Sequence, residues 1–351
     1  MNKKFWVTGL AIVGFFAVTV IGYYVVSTDM WQTKQPSVAE DKSASADEAT
    51  HNERQSSAAD QNEETEQQPV KVLLRIGDSG EAVSDLQQQL NTLGYEMAVD
   101  GKYGPKTQWY VKDIQLQAGL SGDGSFDTAT ETYIQRAHSG EVTVNPGKAI
   151  HLDLSDNTIT NPADLLALVN KMRRLPADYV PEELVEPDVP HVFQGDDLPY
   201  NKMRREAAEA LEELFEQGEQ AGLQLVARSG YRSYDTQVAV FNRNVEQNGE
   251  AAANKYSARP GESEHQTGLV MDVTCPAVNN ELVVAFEDTD EGQWLQQHAA
   301  SFGFIIRYPE GKEDITGYQY EPWHLRYVGK GAAKAIMSQG LTLEEYILNQ
   351  H

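Results

Sequence analysis

Two short stretches of this 351-residue chain carry residue types that hydrolytic chemistry needs. The first, SEHQTGLVMD at 263–272, sets His265 and Asp272 seven positions apart. The second, EPWHLRYV at 321–328, places Glu321 and His324 about fifty residues further on. Two histidines and one carboxylate can hold a zinc ion and leave a fourth position open for water. A second, unligated carboxylate beside that water would be its general base. On this reading His265, Asp272 and His324 hold one Zn2+ per chain and Glu321 is the base. A nitrogen and carboxylate set suits four-coordinate, redox-neutral zinc better than iron or manganese. A histidine is more often a satisfied core or surface residue than a ligand, so spacing alone leaves both readings open.

The elements that would position these residues can be read from the pattern around them. Leu269 to Thr274 is apolar, partly β-branched and follows a glycine, which predicts a strand. Alternation puts Leu269, Met271 and Val273 on one face and Val270, Asp272 and Thr274 on the other. An ionised Asp in so apolar a run needs a partner, and a metal is a good one. His324 to Val328 reads as a second strand, with His324 and Arg326 on a shared face. Pro322 argues against a helix there, so this is not a helical H-E-x-x-H site. Leu223 to Arg228 reads as a further strand. It leads into a turn, Ser229-Gly230-Tyr231-Arg232-Ser233, and then a helix containing Gln237 and Phe241. Arg232, in a turn after a strand, has a planar fork that suits a carboxylate or a developing oxyanion. Residues 201–221 predict an amphipathic helix, Phe304–Tyr308 a strand, and Leu343–Leu348 the last helix. Cys275, the single cysteine, excludes an intramolecular disulfide and reads as a small buried hydrophobe.

The pattern S-x-H-x(6)-D followed by E-x-x-H resembles the LAS family of zinc carboxypeptidases, in its VanY-like D,D-carboxypeptidase branch. The likeness covers residues 157–351 and includes the blocks SGYRSYDTQ, ARPGESEHQTGLVMDV, GFIIRYP, TGYQYEPWHLRYVG and LTLEEY. It implies an α+β fold of the hedgehog/D,D-peptidase type, with a small antiparallel sheet and flanking helices. It also implies that Arg232 and Gln237 line the substrate site, that Arg232 helps stabilise the oxyanion, and that Ser263 is a further substrate contact. Tyr318, close before Glu321, is a further candidate contact. Arg259 and Arg307 lie in the same blocks and read as structural. Val270 stands where the family often has alanine. The implied activity is removal of the terminal D-alanine from peptidoglycan stem peptides. An L,D-carboxypeptidase acting on tetrapeptide stems, or an endopeptidase, would use the same residues. A wall-binding protein without catalysis would need a broken set, yet all four residues are present.

The rest of the chain places this chemistry. A net charge of −25 disfavours a nucleic-acid partner, and no obligate protein partner is evident. Lys3 and Lys4 precede 22 uncharged residues, Phe5 to Val26, long enough to span a bilayer. The basic flank orients the N-terminus inside and the remainder outside, which predicts a membrane anchor over 1–27; secretion after signal cleavage is the competing reading. Residues 28–68 are polar and acidic, with too few large apolar side chains to offset ordering entropy, and read as a disordered linker. Residues 69–138 predict a small three-helix module, starting with a helix capped by Gly77-Asp78-Ser79-Gly80 and carrying Val83, Leu86 and Leu90 at helical spacing. An internal repeat follows: Asp100-Gly101-x-Tyr103-x(3)-Thr107 and Asp123-Gly124-x-Phe126-x(3)-Thr130. This segment resembles a peptidoglycan-binding domain of the PG_binding_1 type, which implies wall glycan as a partner. A connector over 139–156 joins it to the peptidase segment.

Overall fold

A computed structural model describes residues 72–195 and 197–350. The expected anchor over 1–27 and the whole of the expected linker over 28–68 lie outside these. Among the described residues no helix is long and apolar enough to cross a membrane. The described residues begin with β1 (Val72–Leu74), which pairs with β2 (Phe126–Asp127) around helices α1 (Glu81–Thr92), α2 (Pro105–Gln117) and α3 (Thr128–His138). Two short hairpins follow, β3 (Leu152–Asp153) with β4 (Thr158–Ile159), and β5 (Leu184–Val185) with β6 (Met203–Arg204). Then come α4 (Arg205–Gln220), β7 (Val226–Ser229), α5 (Tyr234–Asn248), α6 (Glu250–Tyr256), β8 (Val270–Thr274) and α7 (Asp290–His298). The chain closes with β9 (Phe304–Tyr308), the single turn α8 (Glu313–Thr316), β10 (Glu321–Tyr327), α9 (Lys330–Gln339) and α10 (Leu343–Leu348).

Strands β7, β8, β10 and β9 form one antiparallel sheet in that order. Its two faces differ as the alternation predicts. Leu269, Met271, Val273, Phe304, Ile306 and Leu325 pack in one core with Ala207, Leu211 and Leu214 of α4. Cys275 is buried in that core. The opposite face carries Asp272, His324, Arg326 and Arg307, all buried. Helix α4 begins at Arg205, later than the expected 201, because Met203–Arg204 pairs as β6.

The repeat in the first module has a buried glutamine at each copy, which the spacing did not reveal. Gln87 Nε2 donates to Asp100 Oδ1 and Thr107 Oγ1, and Gln87 Oε1 accepts from the backbone N–H of Gly101. Gln115 treats Asp123, Thr130 and Gly124 in the same way. Each Asp-Gly turn is thus tied to the helix before it and the helix after it. The N-cap of α1 is Gly80 with no side-chain bond, whereas Asp78 accepts from the Arg75 N–H at 2.9 Å.

Helix α2 is buried on nearly every side, Lys112 and Asp113 included. One side faces the module and the other faces the peptidase segment. Lys112 Nζ donates to the carbonyls of Gly122, Ile347 and Leu348, each at 2.8 Å, and so caps the C-terminal turn of α10. Asp113 accepts from the N–H groups of Gly147, Ala149 and Ile150, which fixes the connector. The Arg173 guanidinium lies 5.2 Å from the Trp109 ring centre. Residues of the module and of the peptidase segment share one hydrophobic cluster, from Val83 to Leu348. The described residues accordingly fall in one compact unit.

Burial pulls the Lys112 ammonium down to about 8, against the attraction of Asp123. Lys112→Met keeps the stem and strands three carbonyls. Stability by chemical denaturation is expected to fall by roughly 2–4 kcal/mol. A change within about 0.5 kcal/mol, ordinary for a surface site, would mean that those carbonyls reach water instead.

Candidate active site

The register of the sheet builds the site. His324 pairs directly with Asp272 across β10 and β8. His324 Nδ1 lies 3.1 Å from Asp272 Oδ1. His265 comes from a 3-10 turn, Glu264–Thr267, that ends at Gly268 in the left-handed region, φ +68°, where a side chain would be strained. Its Nε2 lies 3.5 Å from Asp272 Oδ2, and its Nδ1 sits 2.8 Å from the Gly230 carbonyl. That contact leaves Nδ1 as the donor and the Nε2 lone pair facing the carboxylate. Gly230 needs no unusual φ, but any side chain there would run into the Lys202 carbonyl and Met271 Cε. Its lack of a side chain is what lets its carbonyl reach the histidine.

Glu321 and His324 are three apart, and a regular strand would point them to opposite faces. The pairing of β10 with β9 slips between Glu321 and Leu325, and this bulge brings Glu321 Oε2 to 3.5 Å from His324 Nδ1. A second irregularity, between Ala227 and Ser229 opposite Asp272, opens β7 into the turn that carries Arg232. Arg232 Nη1 donates to Gln237 Oε1 at 2.9 Å and Nη2 to Ser229 Oγ at 3.1 Å. Gln237 is buried and its Nε2 donates to the Ala258 carbonyl at 2.6 Å, so both ends of its amide are engaged in holding Arg232. Ser263 is buried one residue before the 3-10 turn. Tyr318 is buried too. Its hydroxyl donates to the Glu262 carbonyl and its ring packs 4.9 Å from Tyr308, whose ring lies 4.8 Å from His324. In this arrangement Tyr318 buttresses the wall behind the histidine.

The electrostatics follow from burial and neighbours. Burial pushes His265 down to about 3, against the pull of Asp272, so its imidazole is neutral. Burial alone would raise Asp272, but His265, His324 and Arg232 hold it below the ordinary carboxylate range. His324 is disfavoured as a cation by burial, yet its bond to Asp272 and the charges of Asp272, Glu321 and Glu264 keep it above its ordinary value. Burial raises Glu321 to about 7; Asp272 adds to this, while His324 and Arg232 oppose it. The site therefore contains one carboxylate held ionised and one poised near neutrality, the division of labour that acid–base chemistry uses.

One donor atom each from His265, Asp272 and His324 lies within 4.8 Å of the others. Donors about 2.0–2.2 Å from a shared tetrahedral ion stand roughly 3.3–3.5 Å apart. Of the separations found here, 3.5 Å falls in that span and 3.1 Å lies just below it. The residues present therefore suit a divalent metal of the zinc kind. Among the described residues this is the sole such group.

Sequence reasoning missed Glu264. It lies between Ser263 and His265 and is fully buried, with Oε1 2.8 Å from both Arg307 Nε and Arg326 Nη1. Arg307 also makes a forked pair with Glu344, at 2.9 and 2.7 Å. The available signal was Arg326 on the same strand face as His324, since a buried guanidinium requires a counter-charge.

The VanY family model, described as D-alanyl-D-alanine carboxypeptidase, matches residues 200–330, a span that holds every residue named in the site except Glu344. The PG_binding_1 model, a peptidoglycan binding domain, matches residues 79–133. A relative from Bacillus subtilis (strain 168), named carboxypeptidase YodJ, is 52% identical over 189 residues, 54% of this chain and 69% of its own length. The bifunctional D-Ala-D-Ala dipeptidase and D-Ala-D-Ala carboxypeptidase VanXYC of Enterococcus gallinarum is 35% identical over 184 residues, 52% of this chain and 92% of its own. The solved structure of the LdcB LD-carboxypeptidase is 52% identical with a TM-score of 0.53, covering 54% of this chain and 88% of that one. Matched along nearly the whole of VanXYC and carrying the site residues within the matched span, this chain belongs to the VanY family of D-alanyl-D-alanine carboxypeptidases.

Proposed function

We propose that this protein is a zinc-dependent D-alanyl-D-alanine carboxypeptidase that removes the terminal D-alanine from peptidoglycan stem peptides. The observation that carries this reading is the meeting of His265, Asp272 and His324 in one buried cluster with Glu321 beside it. His265, Asp272 and His324 would hold one zinc ion, which when bound supplies an acidified water and a Lewis acid for the scissile carbonyl. Glu321 takes the proton from the attacking water and returns it to the leaving amine. Arg232, held by Gln237 and Ser229, offers its fork to the substrate carboxylate or to the developing oxyanion. Ser263, at the head of the turn that carries His265, is a further candidate contact.

A second reading is an L,D-carboxypeptidase acting on tetrapeptide stems. It is favoured by the 52% identity to the LdcB LD-carboxypeptidase, against 35% for VanXYC. Both readings remove a D-alanine and use the same residues; the pocket decides between them. In place, the segment Phe5–Val26 would anchor the chain, or be removed on secretion, with the catalytic part outside the membrane. The module matched over 79–133 supports contact with the wall. Because it shares a core with the peptidase segment, it would orient the site on the wall as well as raise its local concentration.

Incubating the purified protein with muropeptides and reading the products by mass spectrometry separates the readings. Loss of one alanine from pentapeptide is expected; loss from tetrapeptide alone would establish the second reading. Metal analysis should return one zinc per chain, and His265→Ala or His324→Ala should lose both metal and activity. Full activity after exhaustive chelation would sink the metal assignment. Glu321→Gln should keep zinc while turnover falls by about 10²–10⁴-fold. The base works ionised, so the rate rises with pH through the Glu321 pKa. That limb should lie at or below about 7, since a neighbouring cation pulls the burial-raised value down, and should vanish in the Gln variant. Loss of zinc from that variant would instead make Glu321 a ligand.

A further inference from the structure

We infer that Glu264 is the positioning residue of the metal site, holding His324 in the tautomer that turns Nδ1 toward the metal. This rests on the metal reading above and deepens it. The Nδ1 side of His324 faces Asp272 and Glu321, at 3.1 and 3.5 Å. The other nitrogen, Nε2, points away from them into the protein and is buried with no hydrogen-bond partner among the described residues. Opposite it, at 3.9 Å, stands Glu264 Oε2, also buried and also without a partner. A buried donor or acceptor left unpaired costs about 1–3 kcal/mol, and here two complementary atoms face each other across a gap that a shift of about 1 Å would close into a charge-assisted bond. The bond they would make is N–H to carboxylate, the outer contact that commonly fixes the ring of a ligating histidine.

Glu264 has only this oxygen to offer. Its Oε1 already pairs with Arg307 and Arg326, and Arg307 is clamped in turn by Glu344. The side chain is fully buried, which rules out direct work on substrate. Its freedom to rotate is removed by two guanidinium groups, so Oε2 is aimed at the imidazole. A carboxylate in that position can only accept. The proton must therefore sit on His324 Nε2, and the lone pair on Nδ1 is left for the metal.

Glu264→Gln reverses this while keeping the shape. The two arginines take the amide oxygen, so the NH₂ group faces Nε2 and donates to it. The imidazole proton then moves to Nδ1 and blocks ligation. Two measurements on the full chain test the inference. In wild-type protein labelled with ¹⁵N-histidine and loaded with zinc, NMR should place a slowly exchanging proton on Nε2 of His324. A proton on Nδ1 would overturn the inference whether or not the variant folds. In competition with a chromophoric chelator, Glu264→Gln should bind zinc about 10–100-fold more weakly than wild type. Equal zinc affinity in folded Glu264→Gln would show that Glu264 merely neutralises the arginines. A wild-type chain that takes up no zinc would instead overturn the metal reading, and this inference with it.

Discussion

The structure depends on keeping one face of a small sheet polar and yet dry. Asp272, His324, Arg326 and Arg307 line that face, and none is more than 4% exposed. Groups of this kind are tolerated inside a protein only when each finds an opposite charge or a hydrogen bond. The register supplies the first match, His324 against Asp272. Glu264, from the turn over the sheet, and Glu344, from α10, supply the others. Two arginines and two glutamates balance, so the cluster is neutral as a whole.

Departures from regular pairing then aim the reactive groups. Without the slip between Glu321 and Leu325, a strand could not turn both Glu321 and His324 toward one point. Pro322 sits inside that slip, where a missing N–H costs no ladder bond. The slip beside Ser229 performs the same service for Arg232, and Gly230 lets the turn approach closely enough to bond His265. Both irregularities border the trio. Local sheet stability has been given up where the chemistry needs a particular direction, and recovered in the regular pairing of His324 to Arg326 with Val270 to Asp272.

These features were unequally legible in the sequence. The alternation through Leu269–Thr274 and His324–Val328 fixes which side chains share a face, and it holds because each strand has one apolar face that must be buried. Glu264 was not legible, because a glutamate in a polar loop reads as solvated until the arginines of two later strands are placed over it. Lys112 and Asp113 escaped for the same reason. Two of the three partners of Lys112 lie 235 and 236 residues away, a separation that no local pattern reports. Val111 and Ile114 at helical spacing mark only one face of α2 in the sequence, and nothing local marks the second.

That second face changes how the two halves of the chain must be understood. A module hung on a connector would add only effective concentration to the peptidase. Here Asp113 fixes the connector itself, Lys112 caps α10, and α10 contributes Glu344 to the ion cluster behind His324. The first module is thus part of the packing that keeps α10 in place. Removing it would expose Leu348, strip Lys112 from the Ile347 and Leu348 carbonyls, and free the helix that grips Arg307. A catalytic fragment cut at 157 is for this reason expected to lose stability even on small soluble substrates, where binding to a wall plays no part.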